Sequence, residues 1–265
     1  IFEAPAGIER ARIDDITGNF GIGVTHPNTM LHVDGTGVDN DGSTAVVRII
    51  SGNGAQNLLL DGNEIDAKAD GLFLNNNTNE NVILANGGGK VGIGVTHPAT
   101  ALDVAGTTRT RVLEITGGAD LSEHFEIKEI EGSIADGGPK QARPGMAVSI
   151  DPDNPGSLVV SVEAYDHRVA GVISGAGGLD TGLLMSQSGS VANGQHAVAI
   201  IGRVYALADA SYSPIQPGDL LTTSDTPGHV MKVTEYENAE GAIIGKAMTP
   251  LSEGRGLVLT LIGLQ

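Results

Sequence analysis

The chain has 265 residues, which is room for one large domain or two of ordinary size. Its 32 acidic and 15 basic residues leave a net charge of -17, which argues against a nucleic-acid surface or polybasic membrane docking, because both need clustered Lys and Arg. The absence of cysteine excludes disulfides, thiolate zinc sites and a cysteine nucleophile, and no apolar run approaches the roughly 18 residues of a membrane helix.

Glycine is unusually frequent. The chain has 39 glycines, about twice the ordinary usage of roughly 7%, whereas aromatic residues make up only 3% and Trp is absent. This composition is typical of repeated short strands joined by tight turns. The chain begins at Ile1 without Met, so we expect a processed product or a fragment, with any targeting signal upstream.

The first predicted elements belong to a repeat. FGIGVTHPNTMLHVDG at 20–35 recurs as VGIGVTHPATALDVAG at 91–106, an offset of 71 residues (91 minus 20). In each copy, apolar residues that alternate with glycine predict a half-buried strand, a proline predicts a turn, and Leu-x-Val predicts a second strand. Alternate glycines leave one strand face without side chains, so we expect another backbone, from an identical chain, to approach closely.

Short apolar runs bounded by turn residues fill the interval between the two copies. They predict strands at 45–50, 57–60, 72–74 and 82–85, with turns at 61–62 and 70–71. A helical period is hard to find anywhere in this half. Residues 1–118 are therefore predicted to form an all-β, glycine-rich repeat stalk.

Residues 119–265 are predicted to form a β-rich head, a barrel or sandwich, with an internal duplication. Pro144-Gly145 aligns with Pro217-Gly218, and the Gly-x-Ile-x-Gly run at 171–175 aligns with the run at 241–245. The offset drifts from 73 to 70 residues along this alignment (217 minus 144, then 241 minus 171). We interpret these as two similar β units, each a hairpin that opens at Pro-Gly and closes with the Gly-x-Ile-x-Gly strand.

The stalk is too thin to fold alone. Its strands are short and lack large side chains, so they bury too little surface to offset a chain entropy of about 1–2 kcal/mol per residue. Equivalent strands from identical chains would supply the missing wall of the core. We therefore expect a homotrimeric β-prism or β-helix-like stalk.

The repeat resembles a known family pattern. Gly21-Ile-Gly-Val-Thr-His-Pro…Leu31-His-Val, and its copy from Gly92, are similar to the Gly-Ile-Gly-Thr-Thr-x-Pro…Leu-x-Val repeat of phage tail fibres and large bacterial surface proteins. Val24 and Val95 replace the first threonine of that pattern. The sequence between the copies, from Asn57 through Asn77 and on to Gly94, is similar to the segments that separate such repeats.

The second half resembles the head that often follows these repeats. The Asp-Leu-Ser-Glu-His-Phe run at 120–125 is similar to the start of the autoproteolytic domain of phage appendage proteins, and 165–175 and 217–221 are similar to its body. The resemblance implies a trimeric fibre tip, on a virion tail or a microbial cell surface.

One cluster brings acid, hydroxyl and imidazole groups together along the chain: Asp120, Ser122, Glu123 and His124. In a self-processing protein, His124 or Glu123 would assist cleavage of a nearby peptide bond. We favour a polar strand, with Leu121 and Phe125 packed inward and the other side chains hydrated, because side chains along a strand diverge.

The other candidate sites have stronger structural explanations. His26 and His97 each precede a proline at equivalent positions of the repeat. In a trimer, three copies of such a histidine around the axis could hold a metal ion, but we favour exposed turn residues. The run at 151–156 resembles a calcium loop, yet Pro155 and Val162 occupy ligand positions, so a Pro-Gly turn is favoured. The run Asp61-Gly-Asn-Glu64 is interpreted as a hairpin turn rather than an ion site.

The glycine pairs Gly21-x-Gly23 and Gly92-x-Gly94 do not complete a nucleotide-binding pattern, because the third glycine is missing and no helix follows. No catalytic residue, metal site or cofactor is therefore predicted.

The predicted function is structural and adhesive: the distal segment of a homotrimeric extracellular fibre that meets a cell-surface glycan or protein and upstream fibre or tail components. Neither nucleic-acid binding nor membrane insertion is expected. Two alternatives stay open, a self-cleaving maturation domain of a fibre protein and a stand-alone carbohydrate-binding module. Against the last of these stands the shortage of aromatic sugar platforms, with 4 Tyr, 4 Phe and no Trp.

Overall fold

The protein is all-β, as predicted. The computed structural model assigns 41% of residues to strands and 3% to short helical turns. It describes residues 2–4, 8–34, 47–50, 57–60, 65–68, 72, 74, 81–85, 87–128 and 141–263. The helical turns among these residues are two single-turn 3-10 segments, Ala176–Gly178 and Tyr236–Asn238. Neither has the length and apolarity that crossing a membrane requires.

The chain divides into two compact units, an N-terminal unit, Ile1–Thr108, and a C-terminal unit, Arg109–Gln265. The described strands of the N-terminal unit are β1 (Phe2–Ala4), β2 (Ile8–Ile13), β3 (Phe20–Ile22), β4 (Leu31–Val33), β5 (Val47–Ile50), β6 (Asn57–Leu60), β7 (Ile65–Lys68), β8 (Val91–Ile93) and β9 (Leu102–Val104). They form three small sheets, ordered β1-β2-β3-β4, β5-β6-β7 and β8-β9.

The predicted strands between the repeats are confirmed only in part. β5 and β6 match two of them, but the apolar run at 82–85 is not a strand, and neither 72 nor 74 lies in one. Val82, Ile83 and Leu84 are exposed and have no strand partner among the described residues, so an apolar run alone did not suffice. The predicted turns at 61–62 and 70–71, and residues 45–46, lie outside the described residues.

Both copies of the repeat fold in the same way. In the first copy β3 pairs with β4 in parallel, with Phe20 opposite Leu31, and in the second β8 pairs with β9, with Val91 opposite Leu102. The amide of Phe20 donates to the Met30 carbonyl over 2.9 Å, and the amide of Val91 donates to the Ala101 carbonyl over the same distance. The connection of each parallel pair is much shorter than the dozen or more residues of an ordinary crossover.

The glycines of the repeat allow the backbone to approach closely within this tight connection. A Cβ at Gly92 would overlap the Val95 carbonyl oxygen, and one at Gly23 would overlap the Asp34 carbonyl oxygen. Gly23 and Gly94 also have φ of 74° and 70°, which disfavours other residues. Within this chain, the backbone that approaches these glycines belongs to the same repeat. Close approach by the backbone of a second chain stays a prediction.

The C-terminal unit contains the remaining described strands: β10 (Asp120–Phe125), β11 (Ile127–Lys128), β12 (Ala147–Ile150), β13 (Leu158–Val160), β14 (Val169–Ile173), β15 (Leu183–Met185), β16 (His196–Asp209), β17 (Leu220–Thr223), β18 (Val230–Lys232), β19 (Ile243–Ala247) and β20 (Arg255–Gly263). Five of them close into a small barrel in the order β16-β18-β17-β19-β20, because β20 also pairs with β16. Of the predicted alternatives, barrel or sandwich, the structure shows the barrel.

The core of the C-terminal unit consists of two clusters. The larger draws apolar side chains from every barrel strand, including Leu221, Val230, Ile244 and Val258. Small alanines of β16 point into the same cluster, which suits a narrow barrel. The smaller cluster lies between β12, β13, β14 and the first part of β16.

The structure contains a duplicated arrangement of strands. β12 pairs with β13 and β14, and β14 pairs with β16; in the same way β17 pairs with β18 and β19, and β19 pairs with β20. A register shift falls at equivalent places in the two units, between Val148 and Ser149 and between Leu221 and Thr222. Each of the two duplicated β units therefore includes a fourth strand, β16 in the first and β20 in the second, beyond the predicted hairpin and closing strand.

The closing strand was aligned wrongly from the sequence. The amide of Gly145 donates to the Ile173 carbonyl over 2.8 Å, and the amide of Gly218 donates to the Ala247 carbonyl over the same distance. Ile173 thus corresponds to Ala247, an offset of 74 residues (247 minus 173) rather than 70. The Gly-x-Ile-x-Gly pattern occurs in both segments, but strand pairing, not that pattern, sets the register.

Candidate functional site

The predicted cluster at 120–124 lies on β10, next to β15 and β16. Asp120 and Ser122 are buried, whereas Glu123 and His124 are half-buried. The Ser122 hydroxyl donates to one oxygen of the Asp120 carboxylate. The other oxygen accepts the Gly182 amide over 3.0 Å, which ties β10 to the segment that leads into β15.

The contacts of Asp120 and Ser122 hold β10 to the neighbouring segment. The Ser122 hydroxyl is fully buried and committed to Asp120, so it is not presented to a peptide bond. Glu123 points to the opposite face of the strand from Ser122, because successive residues alternate. The expectation that Asp120 and Ser122 are hydrated is wrong, since their mutual hydrogen bond allows both to be buried.

The two repeat histidines lie where the sequence placed them, on exposed bends. His26 Nδ1 is 3.0 Å from the Thr25 hydroxyl, and His97 Nδ1 is 3.0 Å from the Thr96 hydroxyl. Each imidazole thus has a partner next to it in sequence. Within the described part of the chain, no group of three or more His, Asp or Glu side chains could hold a metal ion.

The run at 151–156 forms the turn between β12 and β13. The Asp151 carboxylate accepts the Asn154 side-chain amide over 2.8 Å and the Asp153 backbone amide over 2.9 Å. These hydrogen bonds lower the pKa of Asp151. Its oxygens therefore serve the turn, and the arrangement is a hairpin connection rather than a calcium loop. The run Asp61–Glu64 lies outside the described residues.

A network that the sequence did not indicate lies at one end of the barrel, around Asp209. This side chain is 1% exposed. One of its oxygens accepts the Thr226 hydroxyl over 2.6 Å and the Arg255 Nε over 3.1 Å, and the other accepts the Ser211 amide over 2.8 Å. One buried carboxylate therefore holds three separate segments: the end of β16, the connection from β17 to β18, and the start of β20.

The charge of Asp209 is stabilised by these contacts. Burial by itself raises the pKa of its carboxyl, but the hydrogen bonds from Ser211, Thr226 and Arg255 outweigh burial and lower the pKa to about 2. Burial lowers the pKa of nearby His229, whose Nδ1 lies 2.8 Å from the Pro227 carbonyl oxygen. Asp209 is therefore ionised and the His229 proton affinity reduced at neutral pH.

The side chains that face solvent on the segments held by Asp209 include Tyr212, Asp225 and Arg255. Tyr212 is 59% exposed, and the Arg255 side chain is 54% exposed. Asp225 is exposed although its neighbours Ser224 and Thr226 are both buried. The Asp225 carboxylate near the Tyr212 hydroxyl raises the pKa of that tyrosine. We call these three side chains the Tyr212 cluster.

No local sequence pattern could have indicated the Tyr212 cluster. Its members are far apart in the chain. Pairing of β16 with β20 places Arg255 opposite Asp209, and pairing of β16 with β18 brings the segment that contains Asp225 to the same end of the barrel. The chain matches no protein-family model and no curated protein sequence.

Proposed function

We propose that the chain is the distal, adhesive segment of a homotrimeric extracellular fibre, from a phage-like tail or a microbial surface appendage. The observation that carries this proposal is the distribution of buried apolar side chains. All the buried apolar side chains of the described residues that form the core lie between Ile127 and Ile262, in the C-terminal unit. Among the residues whose exposure is described, the N-terminal unit contributes none to that core.

Both units expose large apolar side chains, but those of the N-terminal unit are not accompanied by a buried core among the residues whose exposure is described. Ile16 and Met30 are 90% and 87% exposed, and Ile93 and Leu102 of the second repeat are 56% and 59% exposed. Ile93 and Leu102 lie on the paired strands β8 and β9, and exposed apolar side chains that adjoin in this way are typical of protein–protein contacts. Covering it contributes about 25 cal/mol for each Å² removed from water. Equivalent strands of identical chains would cover it in a regular way, since both repeats present the same arrangement.

The three small sheets of the unit also end in strands that have one neighbour each among the described residues, such as β4 and β9. Such edges present unpaired amides and carbonyls that another strand can bind. Exposed edges and exposed apolar side chains together favour association through the N-terminal unit. The C-terminal unit has its own barrel core and would be the part that displays loops at the fibre end.

The test is the solution mass of the intact chain by light scattering. We expect a mass near three times 27.0 kDa. The double variant Ile93→Ser/Leu102→Ser should dissociate at higher concentrations than the wild type, because it makes the exposed repeat surface polar. A matched control is Val191→Ser, which changes a side chain that is 82% exposed in the C-terminal unit.

A monomeric wild-type chain at high concentration would contradict the proposal. Equal dissociation of the double variant and the Val191→Ser control would contradict the placement of the contact. Denaturing mass spectrometry of the same sample tests self-cleavage, for which a fragment pair instead of one 27.0 kDa species would be the signature.

A further inference from the structure

An exposed tyrosine is a notable feature in a chain with so few aromatic residues. The sequence has 4 Tyr, 4 Phe and no Trp, yet Tyr212 and Tyr236 are 59% and 69% exposed. Of these two, Tyr212 is the one that lies near Asp225 and Arg255. An exposed ring next to hydrogen-bonding groups offers a flat apolar surface for a ligand that has both apolar and polar faces. The Tyr212 cluster has such groups in Asp225 and Arg255.

The buried Asp209 carboxylate holds the Tyr212 cluster in place. Asp209 accepts the amide of Ser211, the residue before Tyr212, and the hydroxyl of Thr226, the residue after Asp225. It also accepts the Arg255 Nε over 3.1 Å. Asp209 therefore fixes Arg255 directly, and it fixes Tyr212 and Asp225 through the residues next to them in sequence. A site that is fixed before binding pays a smaller entropy cost when the ligand binds.

The Arg255 guanidinium keeps donors for a ligand. Asp209 takes its Nε, and one terminal nitrogen lies 3.4 Å from the Thr226 hydroxyl. A guanidinium has five N–H donors in a planar fork, and the side chain is 54% exposed. The cluster therefore combines donors on Arg255, acceptors on Asp225 and the ring of Tyr212.

The local charge indicates which ligand class fits. Asp209 and Asp225 carry negative charges and Arg255 one positive charge, so these three groups sum to -1 in a chain of net charge -17, and Arg143 is a further cation that acts on nearby His229. This field repels phosphates, carboxylates and acidic sugars. A neutral sugar suits it, because vicinal hydroxyls both donate and accept hydrogen bonds and one face of the ring is apolar.

We infer that Tyr212, Asp225 and Arg255 form a binding subsite for a neutral hexose-based glycan. The sugar stacks on Tyr212, its hydroxyls donate to Asp225, and Arg255 donates to a sugar oxygen. This inference rests on the proposed adhesive function and names the ligand class and the residues that would carry it.

The experiment measures binding of the full chain to immobilised mannotriose, lactose and chitotriose, with sialyllactose as the acidic probe. We expect at least one neutral probe to bind, and sialyllactose to bind more weakly than lactose. Tyr212→Ala and Asp225→Asn should each weaken the bound neutral probe about tenfold. The matched control is Tyr236→Ala, which removes another exposed tyrosine, 69% exposed, from outside the cluster.

Failure to bind all three neutral probes would overturn the inference, as would equal losses for Tyr212→Ala and Tyr236→Ala or stronger binding of sialyllactose than of lactose. Thermal melting of each variant establishes that the barrel is intact. The solution mass of the same sample separates the two proposals: a trimer that binds no neutral probe contradicts the glycan subsite alone, and a monomer that binds one contradicts the fibre alone.

Discussion

Asp209→Asn is the most direct test of the network at the end of the barrel. The substitution keeps the size of the side chain but replaces one acceptor oxygen with a donor amide, opposite groups that themselves donate. The pKa of Asp209 falls from 3.8 to about 2 in the folded chain, a shift worth about 2 kcal/mol at 1.36 kcal/mol per unit. We expect the variant to lose roughly 2 kcal/mol at pH 7.

The pH dependence has a definite sign. A carboxyl whose folded pKa is depressed stabilises the fold above its unfolded pKa and loses that contribution as pH falls through the folded value. The wild-type advantage over Asp209→Asn should therefore be full above pH 3.8 and shrink as the pH approaches about 2.

The assay is urea unfolding followed by tyrosine fluorescence at several pH values. All four tyrosines lie in the C-terminal unit, between Tyr165 and Tyr236, and the chain has no Trp, so the signal reports that unit alone. The control is Asp153→Asn, at an exposed carboxylate of the turn between β12 and β13. A difference at pH 7 no larger than that of the control, or one that does not change down to pH 2, would refute the reasoning.

Three further substitutions test other contacts. Gly92→Ala should lower the free energy of unfolding by about 1–3 kcal/mol, because its Cβ would overlap a carbonyl of the repeat. The control Gly89→Ala, whose Cβ would have its nearest neighbour 3.5 Å away, should not lower it. Equal far-UV circular dichroism melts of the two variants would contradict this. Gly245→Ala should destabilise the barrel by a similar amount in the fluorescence assay, while Gly263→Ala, which meets nothing within 4 Å, should leave it unchanged. Asp120→Ala should cost about 1–3 kcal/mol, since the buried Ser122 hydroxyl and the half-buried Gly182 amide lose their acceptor; a neutral result would show that these donors find other partners.

The sequence predicts local features of this protein well. The repeat at 20–35 and 91–106 was visible because identical short-range requirements, a tight connection and two strands, demand identical residues. The hairpin that opens at Pro144-Gly145 and its copy at Pro217-Gly218 were visible for the same reason: Gly145 and Gly218 have φ of 91° and 94°, which glycine alone adopts readily.

Features that depend on which strand pairs with which were not predictable in the same way. The close approach at Gly92 was expected from the composition of the strand, but its partner, the Val95 carbonyl three residues away, depends on how the connection folds back. In the second copy, two glycines four residues apart, Gly241 and Gly245, could each align with Gly171 of the first copy. Pairing of Gly245 with Leu221 selects the second, and that choice is made by packing of the whole barrel.

The same distinction separates the acid, hydroxyl and imidazole groups at 120–124 from the Tyr212 cluster. Asp120, Ser122 and His124 are close in sequence, and proximity in sequence along a strand is a poor guide to a site because alternate side chains are committed to local contacts. Tyr212, Asp225 and Arg255 are distant in sequence and become neighbours when β16 pairs with both β18 and β20 in the barrel. Barrel closure thus creates in one step both the core that stabilises the head and the surface on which a ligand would bind. Loss of the Asp209 contacts should therefore lower stability and glycan binding together, whereas Tyr212→Ala should lower binding alone.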